Sequence, residues 1–543
     1  MLKTLTTDSE LNLEADVLVI GGGPAGTWAA WSAAASGARV VLVDKGYCGT
    51  SGCAAASGNG VWYVPPQEEA REAAIASRES LGGFLANRQW MNRVLDQTYA
   101  NVNQLAEWGY PFPVDDDGKP ARRSLQGPEY MRLMRKQIKR VGVQILDHSP
   151  ALELLVDADG AIGGATGVNR QSGGKWKVRS HAVIIATGGC AFLSKALGCN
   201  VLTGDGYLMA AEAGAEMSGM EFSNAYGISP AFSSVTKTLF YNWATFTYED
   251  GTVIPGASSH RRSVIAETLL QQPVYAIIDK AAESMRASMR LAQPNFFLPF
   301  DRAGIDPFTQ RFPVTLRLEG TVRGTGGIRI VDESCASSVR GLYAAGDAAT
   351  RELICGGFTG GGSHNAAWAI SSGYWSGKSA AEYSRSLGEQ RRQVKGVGEV
   401  GLQSGSVACR RRHRSLATDE VIQAVQAEVF PYEKNYFRTE QGLTGSLARL
   451  NHLWQELRSS QVTSEKELPR AREAAAMVAT ARWMYSSAIE RKETRGMHKH
   501  LDYPELDANQ QHHLISGGLD KVWVRSLPLH TTEKSQSKIG AAV

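Results

Sequence analysis

Residues 16–26 limit the possible folds of this chain most sharply: the apolar run Asp16-Val-Leu-Val-Ile20 leads straight into Gly21-Gly-Gly23-Pro-Ala-Gly26. A short apolar run closed by glycine predicts a buried parallel strand. In such a turn the first glycine permits the bend, the second lets the backbone approach a pyrophosphate, and the third lets helix and strand pack closely. The next segment, with Ala25, Ala29, Ala30, Ala33 and Ala34, reads as a closely packed helix, and a second strand, 38–43, ends at Asp44. Asp44 stands 18 residues past Gly26, where a carboxylate is placed to accept from ribose hydroxyls. The N-terminus of the helix offers unpaired N–H groups and a partial positive charge to phosphate. This βαβ unit predicts a nucleotide site containing Gly21, Gly23, Gly26, Asp44 and Lys45.

The rest of the chain sets limits. Its 543 residues are enough for two or three domains, and 43% hydrophobic with 21% charged residues fits a globular enzyme. A net charge of +4 argues against a protein built to hold nucleic acid or an anionic membrane. Seven cysteines (48, 53, 190, 199, 335, 355 and 409) contain no C-x-x-C pair. That pattern predicts reduced thiols, no metal centre and no iron–sulfur cluster of the chain's own. Neither a targeting segment nor an apolar run long enough for a membrane span is evident, so the expected location is cytoplasmic.

Three further segments choose the nucleotide. Ala182-Val-Ile-Ile-Ala-Thr187-Gly188-Gly189 resembles the strand-to-turn signature of flavoproteins with the two-dinucleotide fold, and Gly341-Leu-Tyr-Ala-Ala-Gly346-Asp347-Ala348 resembles their late strand. Gly360-Gly361-Gly362-Ser363 then opens an Ala-rich segment whose helix N-terminus would face the flavin's pyrimidine oxygen. Between them, Thr203-Gly-Asp205-Gly206, running on to Met220-Glu-Phe222, resembles the hallmark of the succinate dehydrogenase/fumarate reductase flavoprotein family. That family includes L-aspartate oxidase and the α subunit of adenylylsulfate reductase. Glu490-Arg-Lys-Glu-Thr-Arg-Gly496, with Asp502-Tyr-Pro504, resembles its E-R-x-E-S-R-G…D-Y-P segment. The resemblance spans most of residues 16–507.

It implies an α/β fold: a Rossmann-type FAD-binding domain (1–206 and 326–385), an inserted α+β capping domain (207–325), and a mostly helical C-terminal domain (386–543) with a polar, disordered tail after about 524. The implied cofactor is FAD, with Thr187, Gly188, Asp205, Gly346, Asp347 and Ser363 joining the residues above as contacts.

Departures from the family shape the expected chemistry. The loop that carries a flavin-attaching His in dicarboxylate-handling members reads Thr50-Ser-Gly-Cys-Ala-Ala-Ala-Ser-Gly58 here, which favours non-covalent FAD. Tyr226 stands at the His of F-H-P, Val322 at the His of H-x-T-M-G-G-I, and Phe358 at the Arg of N-R-L-G-G-N-S. No R-G-E-G-G segment is found in the cap. Phe cannot imitate the planar fork of Arg, so ordinary succinate or fumarate chemistry is not expected. The candidate catalytic residues are Arg323 as an anion clamp, with an ion pair to Glu319 as its alternative, Tyr226 as a proton relay and His364 near the flavin. The Cys48/Cys53 pair offers a redox role against plain packing. His260-Arg261-Arg262 and Arg410–Arg414 read as solvated basic runs, the latter also as a contact for an acidic partner.

The expected activity is two-electron transfer between a small anionic substrate and an external carrier, either a ferredoxin-like or iron–sulfur subunit or oxygen. The alternatives are a fumarate reductase- or L-aspartate oxidase-like enzyme with displaced substrate residues, and a flavin electron-transfer subunit without substrate chemistry. Oligomerisation is left open.

Overall fold

The computed structural model describes residues 10–529 except 115–117, 237, 258–260, 359–362, 389–392, 403–416, 461 and 463. Five parallel strands form the central sheet in the order Leu342–Ala344, Ala182–Ile185, Val17–Ile20, Val40–Val43, Gln144–Leu146. The three middle strands are buried along their whole length, which is why each is an unbroken apolar run rather than an alternating one. Their C-terminal ends carry Gly21, Asp44 and Ala186, so the residues singled out by the sequence converge on one sheet edge.

The Ala-rich helix Pro24–Ala35 packs against the long helix Ser363–Leu387. The approach is too close for side chains. A Cβ on Gly373 would lie 2.3 Å from the carbonyl of Ala25, and one on Gly377 would lie 2.1 Å from that of Ala29. Small residues on both faces let the late part of the site lean directly on the first. The helix Gly127–Arg140 packs on the other side of Pro24–Ala35, where Trp28 donates to the Tyr130 hydroxyl at 2.8 Å.

A second sheet, in the order Leu11–Glu14, Lys175–Arg179, Ile162–Val168, Ala151–Val156, Lys395–Gly396, flanks the first. Sequence reading did not find Ile162–Val168, because its three glycines hide any strand pattern. A Cβ at Gly164 would lie 2.0 Å from the carbonyl of Val178.

The segment from Ala225 to Gly320 forms a cap. Its antiparallel sheet runs Ala225–Pro230, Phe312–Gly320, Val274–Ile277, Thr245–Thr247, and packs on an aromatic cluster that includes Phe240, Phe296, Phe297 and Phe300. Beyond it come the helices Thr418–Val429, Glu440–Ser459 and Leu468–Glu490. The expected α/β architecture with a cap and a largely helical C-terminal part is the one found.

One expectation is corrected. Residues Trp523–Pro528 form a strand rather than part of a disordered tail, paired through six registers with His512–Gly517. The strand is hard to read because it is an exposed edge, with Trp523 lying over Gly517 and Gly518. Residues 530–543 lie outside the described residues.

Candidate flavin site

A cleft of about 540 Å³ opens above the C-terminal ends of the central strands, within the range of roughly 300–1,000 Å³ usual for cofactor and ligand pockets. At its nucleotide end Gly21 adopts φ +109°, and a Cβ there would lie 2.3 Å from the Ala186 carbonyl. A Cβ on Gly26 would meet the Gly21 carbonyl at 1.8 Å, which is the helix–strand contact the third glycine exists to allow. Gly23 differs: a Cβ there meets nothing within 4 Å, because this backbone faces the open cleft. That is the cradle a pyrophosphate needs.

Asp44 is buried beneath the cleft floor and organises it. One oxygen accepts from the Gly22 N–H at 2.6 Å, and the other from the Gly46 N–H and the Ser51 hydroxyl at 2.7 Å each. A carboxylate has about four acceptor positions, so one remains for a ribose hydroxyl. Lys45 donates to Thr203 at 2.8 Å and pairs with Asp205 at 2.6 Å and Glu473 at 2.8 Å. Burial alone would push the Lys45 ammonium down, but the two carboxylates outweigh it and hold its pKa above the ordinary value. Sequence reading missed Glu473, which comes from the far C-terminal helix.

Thr187 and Gly188 line the cleft opposite, and Gly204, at φ +84°, turns the chain so that Asp205 opens a helix at the cleft wall. Gly346 and Asp347 follow the strand Leu342–Ala344. The Gly346 N–H donates to Ser372 at 2.9 Å, and Asp347 is gripped by Arg351. Arg351 is wholly buried and also donates to the carbonyls of Thr321 at 2.9 Å and Val322 at 3.2 Å. Ser363 begins the helix Ser363–Leu387 and lines the cleft; Gly360, Gly361 and Gly362 lie outside the described residues. The structure thus brings Gly21, Gly23, Asp44, Lys45, Thr187, Gly188, Asp205, Gly346, Asp347 and Ser363 to one wall, with Gly26 directly behind it.

At the other end three segments meet near the start of helix Ser363–Leu387. Asn365 donates to the Val322 carbonyl at 3.2 Å, the Trp62 N–H to that of Ser363 at 3.1 Å, and the Val61 N–H to that of Arg123 at 2.8 Å. Arg323 and Arg123 both line this end. Arg323 bonds Glu319 at 3.0 Å, and Glu319 in turn accepts from Thr236 at 2.8 Å. Ion pair and cleft position therefore coexist at Arg323. Arg123 carried no sequence signal, since only the long-range antiparallel pairing of Gly58–Gly60 with Ser124–Gln126 brings it here.

The expected proton relay at Tyr226 is corrected. Its hydroxyl donates to the carbonyls of Val429 at 2.9 Å and Phe430 at 3.1 Å, and its ring is buried against Tyr432 and Tyr436, away from the cleft. Burial also pushes its pKa well above the ordinary tyrosine value, so it holds its proton. His364 is fully buried behind the cleft wall, its ring 4.4 Å from that of Trp62. His260 and the run 410–414 lie outside the described residues.

Comparison with known proteins joins these parts. Residues 16–225 match the model of an FAD binding domain, and residues 428–538 match that of the fumarate reductase flavoprotein C-terminus. An uncharacterized FAD-dependent oxidoreductase of Methanocaldococcus jannaschii is 23% identical over 95% of this chain and 98% of its own length. One chain of the CoM/CoB fumarate reductase of Methanothermobacter marburgensis is also 23% identical, over 92% of this chain and 96% of its own length. This chain belongs to the succinate dehydrogenase/fumarate reductase flavoprotein family. It is an FAD-dependent oxidoreductase. The fold agrees: the Escherichia coli quinol fumarate reductase flavoprotein superposes with a TM-score of 0.81 at 20% identity, covering 96% of this chain and 98% of that one.

The family's C-terminal motif has a structural role in this flavoprotein. Arg491, Glu493 and Arg495 are buried. Arg491 pairs with Glu221 of the Met220–Phe222 turn at 2.8 Å and with Glu493 at 2.9 Å, and Glu493 pairs with Arg495 at 2.6 Å. The network ties the C-terminal segment beneath the cap junction. Among the described lining residues of the cleft none is a His, and the carboxylates are Asp44, Asp205 and Asp347. Cys48 is fully buried, and burial, with the charge of Asp44, pushes its thiol up to about 12, so it is a poor nucleophile. Among the described residues no helix is long and apolar enough to cross a membrane, and no cluster suits a metal ion.

Proposed function

We propose that this flavoprotein exchanges two electrons between a small anionic substrate other than a dicarboxylate and an external electron carrier, with FAD held non-covalently. The observation that carries the reading is that two cationic side chains, Arg123 and Arg323, line the same cleft. Bound FAD supplies the two-electron acceptor and donor. The chain's own residues do the rest: the glycine turn and Asp44 seat the nucleotide, and Asp347 and Ser363 orient the far half.

Arg323, fixed by Glu319, presents its remaining donors to an anion, and a charge-assisted bond of this kind is worth about 1.5–3 kcal/mol. Thr238, Leu239 and Phe240 of the cap wall off water. Val322 and Phe358 stand where dicarboxylate-handling relatives place polar groups, which argues for a different anion. That none of the described lining residues is a His supports non-covalent FAD.

The test is direct. The purified yellow protein is reduced anaerobically, and flavin absorbance is followed on addition of fumarate, other enoates, adenylylsulfate and oxygen. Reoxidation by a non-dicarboxylate anion, lost in Arg323→Ala, is the expected result. Reoxidation by fumarate would return the chain to the dicarboxylate enzymes with Arg123 and Arg323 as displaced clamps. Reoxidation by a protein alone would make it an electron-transfer subunit.

A further inference from the structure

A second hollow, of about 880 Å³, opens where the cap, the flavin domain and the C-terminal helices meet, and it shares no described lining residue with the flavin cleft. Four segments wall it: the loop 193–195, the end of helix Arg261–Leu269, the middle of strand Phe312–Gly320, and the turn between helices Thr418–Val429 and Tyr432–Asn435. Leu193, Leu269, Leu270, Leu316 and Phe430 make those walls largely apolar. Leu270 is 47% exposed, so an apolar group bound beside it would take both surfaces out of water.

The charged groups of the hollow are two cations, Arg317 and Lys195, and one carboxylate, the exposed Glu433. Among the described residues neither cation is paired with a carboxylate. Arg317 is half-buried and donates to the carbonyls of Ser233 at 3.0 Å and Ala231 at 3.3 Å, which leaves one terminal nitrogen for a ligand. Burial pushes its pKa below the ordinary value, and only the neighbouring Tyr432 opposes this. A desolvated guanidinium without a counter-charge is an unfavourable arrangement that a bound anion relieves. The walls are also braced. Phe192, Leu193 and Lys195 hold φ values of 53°, 55° and 62°, a region that residues other than glycine avoid. Ser194 donates to the Leu318 carbonyl, and Gln426 to the Phe192 carbonyl at 2.8 Å. On the facing side the Tyr432 hydroxyl accepts from the Leu316 N–H at 3.2 Å and donates to the Leu316 carbonyl at 3.1 Å. Backbone strain fixed in this way is characteristic of segments that hold a ligand.

We propose that this hollow is a second ligand site, taking a small anion with an apolar body, of which a medium-chain carboxylate is the simplest example. Arg317 and Lys195 bind the carboxylate, and the leucines and Phe430 cover the chain. Such an occupant contacts the cap and the C-terminal helices together. It also rests on the strand that ends with Glu319, the partner of Arg323. The inference does not depend on which substrate the flavin cleft takes.

The experiment titrates octanoate into the FAD-loaded protein by calorimetry, with octanol and octylammonium as probes of equal chain length. Octanoate is expected to bind, and each of the other two to bind at least about tenfold more weakly. R317A and the surface variant K195E are each expected to weaken octanoate about tenfold, and R317K to recover part of the loss. R323A, in the flavin cleft, is expected to bind octanoate as wild type does. Amide hydrogen exchange locates the ligand: protection is expected at 315–318 and 430–433 and not at Val322 and Arg323. Octanol or octylammonium binding as tightly as octanoate would overturn the anionic class. Undiminished affinity in R317A or K195E, or protection confined to the flavin cleft, would overturn the location. No octanoate binding below about 10 mM would overturn the site itself.

Discussion

Arg351, wholly buried, grips Asp347 four residues before it, and Asp347 lines the flavin cleft. The same guanidinium holds the carbonyls of Thr321 and Val322, the residues leading into Arg323. One side chain therefore holds both Asp347, the acid proposed to orient the cofactor, and the turn that leads into Arg323, the proposed anion clamp. Its own charge is tolerated in the interior only because the carboxylate and the carbonyls surround it.

Replacing Asp347 by Ala is expected to lower FAD affinity tenfold or more, measured by flavin retained after dialysis. It also leaves Arg351 buried without its carboxylate, so a loss of about 3–5 kcal/mol in stability is expected by denaturant unfolding. Full retention of tightly held FAD would show that the late strand does not touch the flavin.

Two glycine substitutions separate cofactor contact from folding. Gly23→Ala adds a Cβ to open space at φ −75°, so the flavin-free protein should keep its stability within about 0.5 kcal/mol while FAD affinity falls at least tenfold. Gly26→Ala drives a Cβ into the Gly21 carbonyl and should destabilise the flavin-free protein itself. Thermal melts and flavin titrations of both proteins check the contrast; equal FAD binding by Gly23→Ala and wild type would remove the pyrophosphate from this turn.

Arg323→Ala should leave FAD in place and raise the dissociation constant of the anionic substrate by about 10- to 100-fold, the loss of one charge-assisted contact. Arg323→Lys should recover part of it, since the charge returns without the planar fork. Binding titrations that show no change in Arg323→Ala would dismiss the clamp.

Glu352 makes a pH prediction. Burial pushes its carboxyl up from the usual 4.5 to about 7, although Ser218 donates to it at 2.7 Å. The folded chain therefore keeps a proton there that the unfolded chain releases. This contribution to stability is whole below about pH 4.5 and is lost as the pH rises through 7, with a slope of about 1.4 kcal/mol per pH unit within that window. Glu352→Gln should flatten the fall in melting temperature between about pH 5 and pH 8; an unchanged profile would mean that the acid is ionised throughout.

The nucleotide half of the site was legible from the sequence because its chemistry is local. A positive φ at Gly21, a missing Cβ at Gly26 and a carboxylate at the end of the next strand each act within a few residues of the backbone they serve. Two later segments then followed, since Thr187-Gly188 and Gly346-Asp347 also come just after strands of the same sheet. Arg123 and Glu473 gave no such signal. Arg123 reaches the cleft through the long-range antiparallel pair Gly58–Gly60/Ser124–Gln126, and Glu473 acts on it through Lys45 from the distant helix Leu468–Glu490.

Amino-acid order was enough to establish that this chain makes a dinucleotide fold for FAD and which glycines and acids line it, because short-range sterics leave little choice. Which polar residues share the space above the flavin was settled by tertiary packing. It sent Tyr226 into a ring cluster and brought Arg123 and Arg323 to one cleft. A side chain's neighbours there come from segments 200 residues apart, and their meeting is set by how the cap and the pair Gly58–Gly60/Ser124–Gln126 pack.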